Sequence, residues 1–190
     1  DTRARDRARR PLVVVLTDED GGKAAAAAGR PPAWILGASS RSEPPAFPGR
    51  DPVRPAACVQ CADDVYAQAG ITDPRRQLDM AELYVPFSWH EAIWLEAHGI
   101  AEPGDGWKMI DDGSTELGGS FPVNCSGGVL SSNPIGASGL LRFAEAANQV
   151  RGAAGEHQVE NARTALAMAY GANSQYFSTW VVGSSLQPFD

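Results

Sequence analysis

Two kinds of apolar pattern alternate along the chain. Short continuous runs bounded by turn residues predict strands buried on both faces. Residues 12–17 (LVVVLT) and 33–37 (AWILG) are such runs. Between them lies an alanine-rich segment with strong helix propensity, stopped at Gly29. Strand, helix and strand in close succession predict a βαβ-like unit. Residues 38–55 carry five prolines and no period, which predicts a loop.

Helical spacing returns over 56–69 and ends at Gly70, with a turn at Asp73 and Pro74. Residues 78–84 (LDMAELY) predict a strand with Tyr84 at its end. Residues 88–98 predict a helix capped by Ser88, with Glu91 completing a capping box. A turn-rich stretch over 102–122 leads into a segment rich in small residues, 123–139. Helices are expected at 139–151 and 159–169, and a last strand at 177–182. The alternation predicts an α/β chain without solenoid repeats.

The chain has 190 residues and is 43% hydrophobic and 21% charged, which suits one packed domain. Its net charge is −7, yet the first ten residues contribute +3, so the remainder carries −10. An acidic body argues against a nucleic-acid partner, because phosphate binding needs clustered Lys and Arg. The Arg-rich residues 1–10 read as a flexible end. No apolar run is long enough for a membrane span, and the start lacks a signal-peptide pattern. Cys58, Cys61 and Cys125 cannot all pair, which favours a reducing cytoplasm over a disulfide scaffold and gives no zinc motif. No metal site is expected.

The small-residue segment carries the densest chemical signal. Gly127, Gly128, Gly136 and Gly139 lie just before a helix whose first amides are free donors. Such a loop can cradle an anionic oxygen or a thioester carbonyl. It is neither a Walker A loop nor a dinucleotide fingerprint. Tight turns between packed elements are the alternative role.

The segment resembles the C-terminal signature of the thiolase superfamily, N-x-x-G-G-x-x-x-x-G-H-P-x-G-A-T-G. Asn124, Gly127, Gly128, Pro134, Ile135, Gly136, Ala137, Ser138 and Gly139 fall in register. Glu96-Ala-His-Gly99, Asp112-Gly113, the stretch 117–124 (LGGSFPVN), the stretch 149–155 (QVRGAAG) and His157-Gln-Val159 resemble further family blocks in the same order. The run 12–17 resembles a family strand. The likeness covers about residues 11–183 and is nearest the sterol-carrier-protein-x type. It implies a layered αβαβα fold of two similar halves, of which residues 11–190 supply the C-terminal half.

The departures fall at the chemistry. The family's Gly-His-Pro becomes Ser132-Asn133-Pro134. An asparagine amide still donates to an oxyanion but cannot shuttle a proton. The family's His-Asp-Cys-Phe block becomes Tyr84-Val85-Pro86-Phe87. The late reactive cysteine falls near 169–176 (AYGANSQY), which holds Tyr170 and Tyr176 but no cysteine. Cys58 and Cys125 lie away from family catalytic positions. The pattern resembles thiolase-like aldolases that shorten steroid side chains. It implies retro-aldol cleavage of a β-hydroxyacyl-CoA, with coenzyme A as part of the substrate and no cofactor on this chain.

On that resemblance Tyr84, Tyr176 and Asn133 are the candidate catalytic residues. Asn124, Ser126, Gly136 and Ser138 are the candidate substrate-binding ones. Asn133 as a helix cap, and Asn124 and Ser126 as turn formers, are their structural alternatives. His90 is expected on a helix's polar face, and His98 and His157 on the surface. Trp89, Trp94 and Trp107 are expected to line a pocket for a large acyl group, or else to pack in the core or at a subunit interface. The expected partners are an acyl-CoA, a second copy in a homodimer, and a zinc-ribbon/OB-fold subunit. The rival readings are a thiolase with its cysteine on another half, and a non-catalytic thiolase-like subunit.

Overall fold

In the computed structural model, residues 12–45 and 48–189 are described. The Arg-rich stretch 1–10 lies outside them. Helix α1 (Glu19–Ala27) precedes strand β1 (Trp34–Ser42), helix α2 (Ala56–Ala69), the short helix α3 (Pro74–Gln77) and strand β2 (Met80–Leu83). Helices α4 (His90–Ala97), α5 (Gly106–Asp111), α6 (Gly128–Ser131) and α7 (Ser138–Val150) follow, and the hairpin β3 (Thr164–Gly171) and β4 (Tyr176–Gly183) closes the chain.

The four strands form one mixed sheet in the order β1-β4-β3-β2. β4 pairs antiparallel with both β1 and β3, and β2 pairs parallel with β3. Helices cover both faces, so the α/β expectation holds. Cys58, Cys61 and Val65 of α2 and Trp94 and Leu95 of α4 pack with Leu83, Leu166, Met168, Phe177 and Val181. On the other face Phe143, Ala146 and Val150 of α7 pack with Met80, Ala165, Ala167 and Val182. The alternation along β3 therefore sends even positions toward α2 and α4 and odd positions toward α7. Among the described residues no helix is long and apolar enough to cross a membrane.

Several expectations are corrected. Residues 12–17 form no strand, and Val13, Val15 and Leu16 are exposed. β4 takes one edge of β1, and no described strand pairs with the other. A β-branched run without a neighbour has no ladder to complete. The βαβ-like unit is therefore absent, although Asp18 caps α1 by accepting from the Gly21 amide at 2.9 Å. β1 runs five residues into the expected Pro-rich loop, through the polar stretch 38–42. Polar residues serve an edge strand well. Ser40 bonds Ser178 across the ladder at 2.7 Å, and Arg41 forks onto Asp64 of α2.

The expected helix at 159–169 is instead mostly strand β3. At Ala169 the small residue follows from close packing rather than from helix propensity. A Cβ on Gly139 of α7 would sit 2.6 Å from the Ala169 Cβ, so nothing larger than alanine fits there. The Ser88–Glu91 capping box is also absent. α4 starts at His90 after Trp89, with no side-chain cap.

His98, expected at the surface, is buried at the end of α4. Its Nδ1 lies 2.8 Å from the Trp94 carbonyl and 3.9 Å from the Cys58 sulfur, and its Nε2 lies 3.4 Å from the Thr179 hydroxyl. Burial pushes its pKa down to about 4. An unfolded histidine titrates near 6.5, so the unfolded state takes up the proton first as pH falls. Stability contributed by neutral His98 is complete above pH 6.5 and is lost between there and about pH 4. Urea midpoints should therefore fall across this window, and fall less in His98→Gln.

Candidate functional site

The C-terminal ends of β2 and β3 meet the start of α7, and the small-residue loop is laced across them. Val123 bridges to Ala81, and the Asn124 amide donates to the Ala81 carbonyl at 2.9 Å. The Asn124 side-chain oxygen accepts from the Leu83 amide at 2.7 Å. Asn124 adopts φ 53°, followed by Gly127 at 88° and Gly128 at 56°. These left-handed turns explain the two adjacent glycines. The Asn124 oxygen is thus spent on docking the loop, its turn-forming alternative.

A buried ion pair anchors the same loop. Glu82 of β2 and Arg142 of α7 lie 2.5 Å apart, both almost free of solvent. The Ser126 hydroxyl donates to Glu82 at 2.9 Å and accepts from Arg142 at 2.9 Å. Burial holds the Glu82 carboxyl above its ordinary pKa, while Arg142 and then Ser126 oppose that rise. Ser126, expected to bind substrate, is therefore an internal cross-link. Glu82 and Arg142 were not among the expected site residues. Their signal is a charge inside each apolar run: Glu82 within LDMAELY, and Arg142 within LLRF.

Three expected residues do come together. The Asn133 side-chain oxygen accepts from the Ser138 hydroxyl at 2.6 Å and from the Tyr84 hydroxyl at 3.3 Å. With its oxygen doubly engaged, the amide nitrogen of Asn133 is the group left to donate outward. α7 has no side-chain cap, so Asn133 does not act as one. The indole of Trp94 donates to the Tyr84 carbonyl at 3.0 Å and fixes that residue's backbone. Gly136 lies in a single 3-10 turn, Ile135–Ala137, where an added Cβ would meet nothing within 4 Å. Its backbone is open to a ligand.

Tyr176 opens β4 opposite Gly171, half exposed. Its neighbour Phe177 faces α4, so Tyr176 faces the α7 side. Among the described residues its hydroxyl has no hydrogen-bond partner.

On the other side of Tyr84 an aromatic cluster lines a cleft of about 390 Å³. The Tyr84 and Tyr170 rings meet edge to face at 5.1 Å, and the Tyr170 hydroxyl lies 3.2 Å from His90 Nδ1. Phe87 and Trp89 stack in parallel at 5.1 Å on the same cleft. His90, expected on a polar face, is buried against them, and burial lowers its pKa. Of the three tryptophans, Trp89 lines the cleft, Trp94 is core and Trp107 is exposed. Cys58 and Cys61 are buried, with thiol pKa values raised first by burial. Burial and then Glu82 push the half-buried Cys125 up to about 11. All three are poor nucleophiles.

The model of the thiolase C-terminal domain-like family matches residues 42–184. The chain belongs to this family. The thiolase C-terminal-like domain is 38% identical to human sterol carrier protein 2 over 108 residues, 56% of this chain and 19% of that protein. It is 37% identical to an acetyl-CoA acetyltransferase of Methanothermobacter thermautotrophicus over 114 residues, 60% of this chain and 29% of that one. In structure it resembles the Ltp2-ChsH2(DUF35) aldolase, with a TM-score of 0.70 and 27% identity, over 80% of this chain and 40% of that one. The domain thus spans less than half the length of each of these relatives.

The ion pair gives a sharp test. Replacing Arg142 by Met leaves the Glu82 carboxylate buried and unpaired, which costs about 3–5 kcal/mol at neutral pH. Without Arg142 the folded-state pKa of Glu82 rises further above the unfolded value near 4.3. A carboxyl raised in the folded state loses stability as pH climbs from the unfolded toward the folded pKa. The urea midpoint of Arg142→Met should therefore fall further below that of the wild type at pH 8 than at pH 5, a comparison in which the titration of His98 cancels.

Proposed function

We propose that this domain belongs to a carbon–carbon lyase that cleaves a β-hydroxyacyl-CoA by a retro-aldol reaction. The observation that carries the reading is the Tyr84–Asn133–Ser138 hydrogen-bonded group at the start of α7. It offers an amide donor and a phenol but no reactive thiol. In the reaction a base takes the β-hydroxyl proton and the Cα–Cβ bond breaks. The electron pair passes into a thioester enolate, and an acid then protonates Cα. The Asn133 amide and open backbone near Gly136 suit the enolate oxygen. Tyr84 and Tyr176 supply hydroxyls at this end of the sheet. The half-exposed Phe87–Trp89 stack suits a large apolar acyl group of steroid type.

The solved aldolase that this domain resembles is a complex of two components, which supports a partner subunit here as well. A homodimer and a substrate that brings its own coenzyme A complete the proposal, with no cofactor on this domain. Acyl transfer by a thiolase is the second reading, because an acetyltransferase is among the relatives. It requires a nucleophilic cysteine outside this domain, since the thiols here are raised in pKa.

The test is cleavage of a branched, steroid-like β-hydroxyacyl-CoA by the full-length protein with its partner, following the released carbonyl compound. Tyr84→Phe should lower kcat by about 100-fold. Tyr176→Phe and Asn133→Ala should lower it too. Absence of cleavage by the intact complex overturns the lyase reading, and unchanged cleavage in all three variants removes the reaction from this site. Acetyl transfer to coenzyme A in place of cleavage moves the assignment to a thiolase.

A further inference from the structure

The lyase reading leaves one step without a proton acceptor. Tyr84 is bonded to an amide oxygen, which cannot hold a proton, and Tyr176 has no described partner. At this end of the sheet, among the described residues, Tyr170 is the tyrosine with a base behind it: its hydroxyl lies 3.2 Å from His90 Nδ1. Its ring packs edge to face on Tyr84 at 5.1 Å, yet no hydrogen bond joins the two hydroxyls. Both Tyr170 and His90 line the aromatic cleft beside Phe87 and Trp89.

We propose that Tyr170, backed by His90, is the group that takes the β-hydroxyl proton from a substrate lying in this cleft. The proposal rests on the lyase reading and adds a catalytic residue and a positioning residue to it. The β-hydroxyl proton passes to the Tyr170 oxygen as Tyr170 passes its own to His90 Nδ1. The O–H bonding pair becomes the carbonyl π bond of the released fragment, and the Cα–Cβ pair becomes the enolate. Tyr84 protonates Cα, and solvent then takes the proton held by His90 and returns one to Tyr84. Protons and electrons balance with no reactant beyond solvent.

The surroundings of His90 keep its ring neutral at rest. Its ring stacks on Trp94 at 4.8 Å and touches Phe87, Trp89 and Tyr170. Burial lowers its pKa, so the imidazole is neutral at pH 7. With the Nε2 tautomer, Nδ1 presents its lone pair to the Tyr170 hydroxyl. The other charged group on the cleft is Arg50, whose guanidinium is held by Glu43 at 2.6 Å and by the carbonyls of Asn173 and Ser174.

The experiment measures kcat and KM for the same cleavage against pH, in the full-length complex, for the wild type, Tyr170→Phe and His90→Asn. Tyr170→Phe should lower kcat by about 100-fold or more with KM changed by less than about threefold. Wild-type kcat should fall as pH drops through a value below 6.5, and His90→Asn should lack that acidic limb. Tyr170→Phe keeps the ring contacts and decides the question if His90→Asn does not fold. An active wild type with full kcat in Tyr170→Phe overturns the proposal, as does an unchanged acidic limb in His90→Asn. In both cases the lyase reading stands. A wild type that cleaves nothing overturns the lyase reading, and this proposal falls with it.

Discussion

A carboxylate and a guanidinium meet out of water between β2 and α7, and the site depends on that contact. Glu82 and Arg142 each pay a desolvation cost that neither bears well alone. Together they join a strand to a helix, and through Ser126 they tie the small-residue loop to both. The loop has few apolar side chains of its own to hold it. Its conformation comes from Asn124 on the β2 backbone and from this pair. The start of α7, and with it Asn133 and Ser138, is therefore set by polar contacts in a buried place.

The other half of the site is held by aromatic packing. Trp94 lies in the core between α4 and the sheet, and its indole pins the backbone at Tyr84. Tyr170, Phe177 and His90 pack around it. Tyr84 stands where the two systems meet. Its hydroxyl joins the polar group at α7, and its ring joins the aromatic group at the cleft. One residue after a short buried strand thus joins a polar hydrogen-bonded group to an aromatic one. In the proposed reaction the first would meet the thioester and the second the hydrocarbon.

Much of this was legible along the chain. The glycines and the triplet Ser132-Asn133-Pro134 marked the loop, and Tyr84 stood at the end of an apolar run. The loop was readable because left-handed turns demand glycine or asparagine wherever they occur. His90 and His98 were misplaced, since a histidine in a mixed helical pattern gives no sign of which face is covered. Glu82 and Arg142 were visible as charges in apolar company, but their partnership spans sixty positions. No local period reports a contact of that separation.

The amino-acid sequence by itself determined the α/β class, the family likeness, the loop before α7 and the absence of a cysteine from 169–176. These rest on local propensities and on residue types that backbone geometry restricts. Only the tertiary structure decided that 12–17 is exposed chain and that the alanine-rich 164–171 is a strand. A β-branched run needs a neighbour to pair with. Alanine joins a strand when a helix packs too close for anything larger, as α7 does at Gly139. The pairings Glu82–Arg142 and Tyr170–His90 were likewise settled by which elements the sheet brought side by side.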